Sequence, residues 1–483
     1  MFLTLALALN AAEPVKQPEA LALIEAAQRA HGADAAKTLK ARIVFEGSSI
    51  DPGQSLAVAG GFEPYPRRLS ITVDNSANAS VSDLDAAIAG DFRFQTHAAK
   101  TADKGFAYDR RTGTAEDLPG AVPGLEMALP HETLARVART AASLQLLPEK
   151  DEHVRIAYAY PNGRGGELLF DARTKLLAGY DTKPSPSVHG DRYASVRFGP
   201  YRRIGGVAVP SGVEERQVSV LFGTVASRLA LKHVDEQGPS TTELALPAGA
   251  QKGDYSWRPP FSAKPLGDNV WLLQNVTDTK AQWSYNVLAV AFADHVLVAE
   301  APIDTATSEK LIGEIAKLAP GKPVRYLVQS HHHQDHLGGI RGYVAAGATI
   351  VASAEAKPLI ERIAQTHPST PDTLARAPRP ANVLAVQGSR VFEDATNRVE
   401  VYDVGPNPHA RQMLVVYLPK QKLLYQADLV NAGEYPLNDT SRSFLAWLKV
   451  RKLPVETMMG LHGRVLDQAE VADLVGEERL AAR

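Results

Sequence analysis

The stretch VRYLVQSHHHQDHLGG, from Val324 to Gly339, changes character in its middle. Its first half is apolar, as a buried strand is, and polar residues begin at Gln329. Four histidines and one aspartate then fall within six positions. Because α/β sheets place functional side chains beyond the carboxyl ends of their strands, the polar half is predicted to lie at such a sheet edge. Gly338 and Gly339 predict a tight turn into a following helix.

The spacing of the polar residues suits metal binding. In an extended segment His331 and His333 point to the same side and can hold one ion together, whereas His332 points away and is interpreted as a spacer. Asp335 and His336 follow on the next turn and can serve a second ion. The chain has no cysteine, so its metal ligands are nitrogen and oxygen atoms. Imidazole and carboxylate together favour zinc or iron over calcium or magnesium.

The sequence around this stretch predicts a layered α/β domain. VWLLQNV, YNVLAVAFAD and HVLVAEAP are typical of successive strands, and SEKLIGEIAKLAPG is typical of a helix. Beyond the histidines, GGIRGYVAAG and AEAKPLIERIAQT predict helices on either side of the strand ATIVAS. Alternating strands and helices of this kind indicate helices packed on the faces of a sheet.

The first half of the chain has a different pattern. A helix is predicted over 18–32, and strands such as RLSITVD and VRIAYAY follow, interrupted by one predicted helix from Glu132 to Leu147. This pattern predicts an α+β domain built mainly on an antiparallel sheet. Proline and glycine then mark a linker. The predicted organisation is a signal peptide at 1–12, the N-terminal domain at 18–245, the linker at 246–265 and a catalytic domain at 266–483.

Composition excludes several functions. The formal net charge of −2 gives no electrostatic basis for binding nucleic acid. Beyond the leader, no stretch approaches the ~18 uninterrupted apolar residues of a membrane-spanning helix. The absence of cysteine removes disulfides and a thiol nucleophile. The apolar run at 1–12, followed by small residues, is typical of a signal peptide and predicts a periplasmic or secreted protein; without a signal the protein would be cytoplasmic.

Three later residues complete a pattern. His409, Asp428 and His462 each follow an apolar run that reads as a strand. Together with the His-x-His-x-Asp-His segment, their order and spacing resemble the metallo-β-lactamase superfamily from about residue 268 to 463. The resemblance implies a four-layer αββα sandwich with a dinuclear site at one edge. It implies a first metal held by His331, His333 and His409, a second held by Asp335, His336 and His462, and Asp428 bridging both.

The sequence departs from the family pattern near the implied site. Where the family has an aspartate at the end of an early strand, this chain has Glu300, which is expected to support a ligand; Asp304 is the alternative. The third motif is His409-Ala-Arg-Gln in place of His-Ser/Thr-x-Gly. Ala427 replaces the glycine that precedes the bridging aspartate. These changes indicate a divergent branch with its own substrate contacts.

What the resemblance implies about activity is hydrolysis. Two Zn²⁺ ions would hold a bridging hydroxide that attacks an ester, lactone, thioester or amide of a small molecule, with Asp335 as the catalytic residue that orients it and moves its proton. One alternative is an iron-dependent sulfur or oxygen oxidoreductase, so iron or mixed metals stay open; others are a β-lactamase and a binding module with a vestigial site. The N-terminal half resembles outer-membrane lipoprotein carrier domains, which are half-barrels with an apolar concave face.

Overall fold

The computed structural model describes residues 15–252, 261–276, 284–432 and 436–481. The signal peptide predicted at 1–12 and residues 253–260 of the predicted linker lie outside the described residues, so the signal and the domain boundaries stay predictions. Of the linker's remaining residues, 251–252 pair with the N-terminal sheet, and 262–265 begin a strand of the C-terminal half. No helix in the described ranges is long and apolar enough to cross a membrane.

The N-terminal half is built on a single large sheet, as predicted. The sheet has 14 strands, and all of its neighbouring strands are antiparallel except β16 and β6. In chain order the strands of this half are β1 Lys40–Ser49, β2 Tyr65–Asp74, β3 Ala79–Ala87, β4 Arg93–Lys100, β5 Gly105–Asp109, β6 Thr114–Asp117, β7 Ser143–Lys150, β8 His153–Ala159, β9 Gly165–Asp171, β10 Leu177–Thr182, β11 Arg192–Phe198, β12 Tyr201–Ile204, β13 Val207–Pro210, β14 Gly212–Ser219, β15 Gly223–Asp235 and β16 Gln251–Lys252.

Strands β12 and β13 form a separate hairpin, and the order in the large sheet is β16-β6-β5-β4-β3-β2-β1-β15-β14-β11-β10-β9-β8-β7. The helices of this half are α1 Pro18–His31, α2 Ala33–Ala36, α3 Leu125–Ala128 and α4 Pro130–Thr140. Helix α1 ends where predicted, because Gly32 adopts the left-handed conformation, with φ of 83°, that favours glycine. The antiparallel α+β prediction is confirmed.

The helix predicted from Glu132 to Leu147 is only partly correct. Helix α4 ends at Thr140, and the chain continues as strand β7 from Ser143. Leu144 is buried in the cluster that α1 and α4 form against the sheet, and β7 pairs with β8. Pairing with β8 satisfies the backbone groups of this segment, and Pro148 is unfavourable in a helix interior. Tertiary pairing therefore decides a segment whose composition also suits a helix.

The C-terminal half contains two sheets. The first has seven strands, antiparallel from β17 to β20 and parallel from β20 to β23: β17 Ser262–Gly267, β18 Val270–Val276, β19 Tyr285–Ala291, β20 Val296–Ala299, β21 Val324–Val328, β22 Thr349–Ser353 and β23 Asn382–Val386. The second has five: β24 Ser389–Glu393, β25 Arg398–Asp403, β26 Leu414–Leu418, β27 Leu423–Tyr425 and β28 Thr457–Met459. The helices are α5 Thr305–Leu318, α6 Gln334–Leu337, α7 Ile340–Ala346, α8 Lys357–Ala364, α9 Thr373–Arg376, α10 Asp439–Arg451 and α11 Gln468–Ala481.

Buried side chains show how these layers stack. Between the two sheets, Leu288 and Val290 share one apolar cluster with Val401, Leu414 and Val416. The opposite face of the first sheet packs on α5, α7 and α8. The opposite face of the second sheet packs on α10 and α11. Two sheets face to face with helices outside each make the four-layer αββα sandwich that the sequence predicted.

The N-terminal half packs against the sandwich near the end of β21. Val58 is buried in the same cluster as the side chains of α5 and α7. On the β14–β15 hairpin, the carbonyl of Leu221 accepts a hydrogen bond of 2.7 Å from Arg362 on α8. The carbonyl of Gly90 accepts one of 3.1 Å from Asn438, which caps α10. Contacts on three sides thus join the two halves around one edge of the sandwich.

Arg341 on α7 holds the loop that follows α8. Its side chain is 5% exposed, and Nε and Nη2 donate to the two oxygens of Asp372 at 2.6 and 2.8 Å. Its Nη1 donates to the carbonyls of Ile363 and Thr366 at 2.7 and 3.0 Å. Replacing a buried, fully bonded cation leaves its partners without compensation.

We therefore expect Arg341→Met to lower the free energy of unfolding by about 3 kcal/mol, because Asp372 and two carbonyls lose their donor. Urea unfolding followed by circular dichroism measures this. The control is Arg390→Met at an exposed site of β24, which should change stability by less than about 0.5 kcal/mol. Equal stability of the two variants would contradict this role of Arg341.

Candidate metal centre

The histidine segment lies where β21 ends, between the edges of the two sheets. The backbone N–H of Gln329 donates to Val351 of β22, and the carbonyl of Ser330 accepts from Leu414 at the start of β26. Each bond is 2.8 Å long, so the loop is attached to both sheets. The first turn after it, α6, carries Asp335 and His336. The strand-then-site arrangement predicted from the sequence is present.

Gly338 and Gly339 are needed for a different reason from the one predicted. Their φ angles, −55° and −95°, are accessible to any residue. A Cβ on Gly338 would lie 2.2 Å from the carbonyl oxygen of Ile303, and one on Gly339 would lie 2.0 Å from Oγ of Ser308. The glycines thus allow the histidine segment to pack directly against the start of α5.

Three of the predicted ligands form a first group. His331, His333 and His409 are buried, and their ligand atoms all lie within 4.8 Å of one another. The Nε2 atoms of His331 and His409 are 3.1 Å apart. Nδ1 of His331 bonds to Oγ of Ser330 at 2.9 Å, which leaves Nε2 facing the group. His333 binds the carbonyl of Ser55 through Nε2 at 2.9 Å, so Nδ1 is the atom left to face the group.

Four predicted ligands form a second group. Asp335, His336, Asp428 and His462 also have ligand atoms within 4.8 Å of one another. His462 Nε2 lies 3.0 Å from Oδ2 of Asp335, and His336 Nε2 lies 3.0 Å from Oδ2 of Asp428. Gln54 of the N-terminal half donates to the other oxygen of Asp335 at 2.7 Å.

Asp428 lies between the two groups. Its Oδ2 is 3.4 Å from Nε2 of His409 in the first group, and its Oδ1 is 3.8 Å from Nε2 of His462 in the second. The structure thus brings all seven predicted ligands together and places Asp428 where the resemblance puts a bridging residue. Their metal-binding role stays a proposal, taken up below.

Burial and mutual charge set the protonation of these groups. Burial, strengthened by neighbouring imidazoles, lowers the pKa of His331 and His333 well below the ordinary value, so both are neutral and carry a free lone pair. Burial alone would raise the pKa of Asp335 and Asp428, but the charge of His336 and further contacts outweigh it and lower both. The same carboxylates raise the pKa of His336 despite its burial. The arrangement therefore holds ionised carboxylates beside neutral imidazoles.

Glu300 occupies the expected supporting position. It is fully buried, and its Oε2 lies 3.4 Å from Nδ1 of His336 and 3.4 Å from Nε2 of Gln329. Its φ of 81° is unusual for a residue with a side chain. Asp304, the alternative, does something else: it caps α5 by accepting from the N–H of Thr307 at 2.8 Å. The departure Ala427 also has a positive φ, 58°, as the family's glycine would allow.

The neighbours of the ligands also have clear positions. His332 lies outside both groups and binds the carbonyl of Ser55 at 2.8 Å, and burial lowers its pKa to about 4. The side chain of Arg411 is 52% exposed and lies 4.0 Å from Glu355. Sequence reasoning did not find Gln54 and Ser55. The turn signal Asp51-Pro52-Gly53 beside them predicts a loop but not its partner.

The donor set fits metal ions. Nδ1 of His333 and Oδ1 of Asp428 are buried, and within the described ranges neither has a hydrogen-bond partner. Buried polar atoms are ordinarily satisfied, and a metal ion would satisfy both. The first group offers three imidazole nitrogens, and the second offers carboxylate oxygens beside imidazoles, which zinc and iron bind.

A cavity of about 310 Å³ lies against the two groups. Both halves of the chain line it. The sandwich contributes Asp335, His409, Asp428 and His462 together with Tyr285, Gln334 and Asn431, and the N-terminal half contributes Asp51, Gln54, Ile88, Phe92 and Phe94. A small molecule in this cavity would touch the predicted ligands and the N-terminal sheet at once.

Comparisons with known proteins locate the same region. Residues 303–462 match the family model of the metallo-beta-lactamase superfamily. The alpha subunit of 2,4-dinitroanisole O-demethylase from Nocardioides sp. (strain JS1661) is 24% identical over 183 residues, which are 37% of this chain and 49% of that protein. The match thus spans about half the length of this curated relative.

Solved structures similar to this chain include two metallo-beta-lactamases. The protein from Pontibacter korlensis is 19% identical with a TM-score of 0.35 and covers 45% of this chain and 99% of its own. The protein from Hirschia baltica is 17% identical with a TM-score of 0.34 and covers 46% and 98%. The family match lies in the C-terminal half, so the resemblance of the N-terminal half to lipoprotein carriers stays a prediction. The segment 303–462 is a metallo-beta-lactamase superfamily domain, built into the αββα sandwich that forms the C-terminal half of the chain.

Proposed function

We propose that the chain is a metal-dependent hydrolase that cleaves an ester, lactone, thioester or amide bond in a small molecule. The observation that carries this proposal is the position of Asp428. Its two oxygens face histidines of both groups at the floor of an accessible cavity. A carboxylate shared by two sets of nitrogen ligands is what a dinuclear hydrolytic site requires.

The ligand groups assign the metal positions. His331, His333 and His409 would hold the first ion, and Asp335, His336 and His462 would hold the second, with Asp428 shared. Two zinc ions, when bound, lower the pKa of water towards neutrality and polarise a substrate carbonyl. Neutral imidazoles at the first position keep their lone pairs available at pH 7.

Asp335 is the residue best placed to move a proton. It lines the cavity, its pKa is lowered so that it is ionised, and its two oxygens are oriented by Gln54 and His462. From this position Oδ2 can accept a proton from an attacking water and return it to a leaving group. No hydroxyl or thiol nucleophile is needed for such a reaction.

The metal and the bond that is cleaved define the open alternatives. The ligand set suits iron as well as zinc, and an iron-dependent oxidoreductase would consume an oxidant rather than water. The name of the Nocardioides relative, a 2,4-dinitroanisole O-demethylase subunit, adds an aryl methyl ether to the substrates that should be tested. A β-lactam belongs in the same panel as the remaining alternative.

The first prediction concerns metal binding. Protein stripped with a chelator should take up two Zn²⁺ ions per chain and gain thermal stability, because the ions satisfy buried donors that otherwise lack partners. Calorimetric titration with scanning calorimetry measures both effects. His333→Asn should lose the first ion. His367→Asn, at an exposed histidine outside both groups, is the control and should bind two. Binding of one ion by the unaltered protein would contradict the dinuclear assignment.

The second prediction concerns turnover. Zinc-loaded protein should hydrolyse at least one ester, lactone, thioester or amide of a panel that also includes a β-lactam and 2,4-dinitroanisole. Asp335→Asn should lower kcat by about 10²–10⁴-fold because the proton acceptor is lost. Zinc content is measured on the same samples, since Asp335 is also an assigned ligand.

The control for turnover is Asp103→Asn at an exposed position, which should keep full activity. Unchanged kcat in Asp335→Asn would remove its proton-transfer role. Protein purified with iron alone, consuming oxygen and inactive with zinc across the panel, would replace the hydrolase with the oxidoreductase alternative.

A further inference from the structure

The cavity has two chemically different walls. One wall is polar and belongs to the sandwich, where the seven assigned ligands lie. The other wall comes from the N-terminal half and consists of Ile88, Phe92 and Phe94. These residues lie on the turn between β3 and β4 and at the start of β4. The ring of Phe92 meets the ring of His409 edge-on, with centroids 5.1 Å apart.

This apolar wall is held in place by the contact between the two halves. Gly90, at the tip of the turn, has a φ of 81°, and a Cβ there would lie 2.9 Å from Nδ1 of His409. Its carbonyl accepts hydrogen bonds from Asn438 and Thr440 at the start of α10. The turn therefore packs tightly on the sandwich, and its side chains face the site at a fixed distance.

The charges around the cavity are acidic. Asp51, Asp335 and Asp428 line it, and no lysine or arginine is among the described residues that do. The nearest guanidinium, that of Arg111, lies 5.0 Å from the Phe94 ring and is bonded to Asp109 at 2.9 Å, so its charge is already compensated. Arg411 lies outside the lining. A substrate carboxylate would therefore find no cationic side chain and would face Asp51.

From these two observations we propose a substrate class: uncharged esters or lactones that carry an apolar chain or ring against Ile88, Phe92 and Phe94. This proposal rests on the hydrolase function proposed above. The volume of about 310 Å³ lies at the lower end of small-molecule pockets, so the substrate is small. Contact with the apolar wall removes hydrophobic surface from water, while the absence of a cationic side chain disfavours anions.

The experiment compares 4-nitrophenyl acetate, butyrate and octanoate with 4-nitrophenyl hemisuccinate, which carries a carboxylate. For the zinc-loaded protein, kcat/KM should rise from acetate to octanoate and be at least about tenfold lower for hemisuccinate than for butyrate. In Ile88→Ala and Phe94→Ala, kcat/KM for octanoate should fall roughly tenfold through KM, with acetate changing less than about twofold. Leu146→Ala, which alters a leucine that is 38% exposed on β7, is the matched control and should behave like the unaltered protein. A flat chain-length profile, or a preference for hemisuccinate, would overturn the proposal.

A binding measurement separates this proposal from the hydrolase function. The neutral ketone 2-decanone cannot be hydrolysed, and calorimetry should show that it binds the zinc-loaded protein and binds roughly tenfold more weakly to Phe94→Ala. Binding without hydrolysis of any ester would support the apolar wall and contradict the hydrolase. Equal affinity in both proteins would contradict the apolar wall even if esters are hydrolysed.

A second observation, independent of the cavity wall, concerns the segment from Asp51 to Ser55. Asp51 accepts from the N–H of Gly53 at 2.9 Å and caps the short turn Pro52–Gln54. Gly53 lies against Gln334, since a Cβ there would be 2.7 Å from its Oε1. From this turn Gln54 reaches Asp335 in the second group, and the carbonyl of Ser55 reaches His333 in the first.

We infer that Gln54 is a positioning residue for the second metal ion. Its Nε2–H donates to Oδ1 of Asp335, which leaves Oδ2 directed towards His462 and the rest of the group. Hydrogen bonds to ligating side chains fix their orientation, and their loss weakens metal affinity by about 10–100-fold. The N-terminal half thus takes part in metal binding without supplying a ligand.

The test is Gln54→Leu, which keeps most of the side-chain volume and removes the donor. Zinc titration should show the second ion bound about 10–100-fold more weakly and the first ion unchanged. The melting temperature of the metal-free protein should stay the same. Gln145→Leu, at an exposed glutamine of β7, is the control. Unchanged affinity for both ions, or equal weakening of both with a lower melting temperature of the metal-free protein, would contradict a positioning role.

Discussion

Burying a carboxylate among imidazoles is the constraint on which the rest of this structure depends. Asp428 is 6% exposed, and His331, His333 and His336 are almost fully enclosed. Groups of this kind are costly to remove from water unless each polar atom has a partner. The surrounding chain supplies those partners from many places: Ser330 from the histidine loop, Glu300 from the end of β20, and Gln54 and Ser55 from the other half of the molecule. The atoms left over, such as Nδ1 of His333, converge on the positions assigned to metal ions.

The backbone around the site is strained in a consistent way. Glu300, Ile303 and Ala427 all have positive φ angles, which side chains rarely adopt. The first two lie in the turn that carries Glu300 to His336, and the third directly precedes Asp428. Conformations of this kind persist only where surrounding structure enforces them. Here the enforcing structure is the pair of buried sheets, whose strands β20 and β27 end immediately before these turns.

The site is shared by both halves of the chain rather than contained in the sandwich. The superfamily match begins at residue 303 and ends at 462, whereas Gln54, Ser55 and Phe92 lie more than two hundred residues before it. These three reach the ligands because the 14-stranded sheet packs on the open edge of the sandwich, where β21 ends. The ligand set therefore belongs to the superfamily domain, while much of the wall that a substrate would touch belongs to the other half. This division fits the departures from the family pattern beside His409 and Asp428.

The sequence by itself determined the αββα sandwich, the antiparallel character of the first half and the seven candidate ligands. These follow from local information: the periodicity of buried strands and helices, and a His-x-His-x-Asp-His spacing that a strand end converts directly into geometry. Only the tertiary structure decided that Ser143–Lys150 pairs as a strand, that Asp304 caps a helix, and that Gly338 and Gly339 are required by close packing. It also decided that Gln54, Ser55 and Phe92 belong to the site. Their positions depend on how one sheet docks against another, and docking is set by the shape and burial of whole surfaces, which no short stretch of sequence contains.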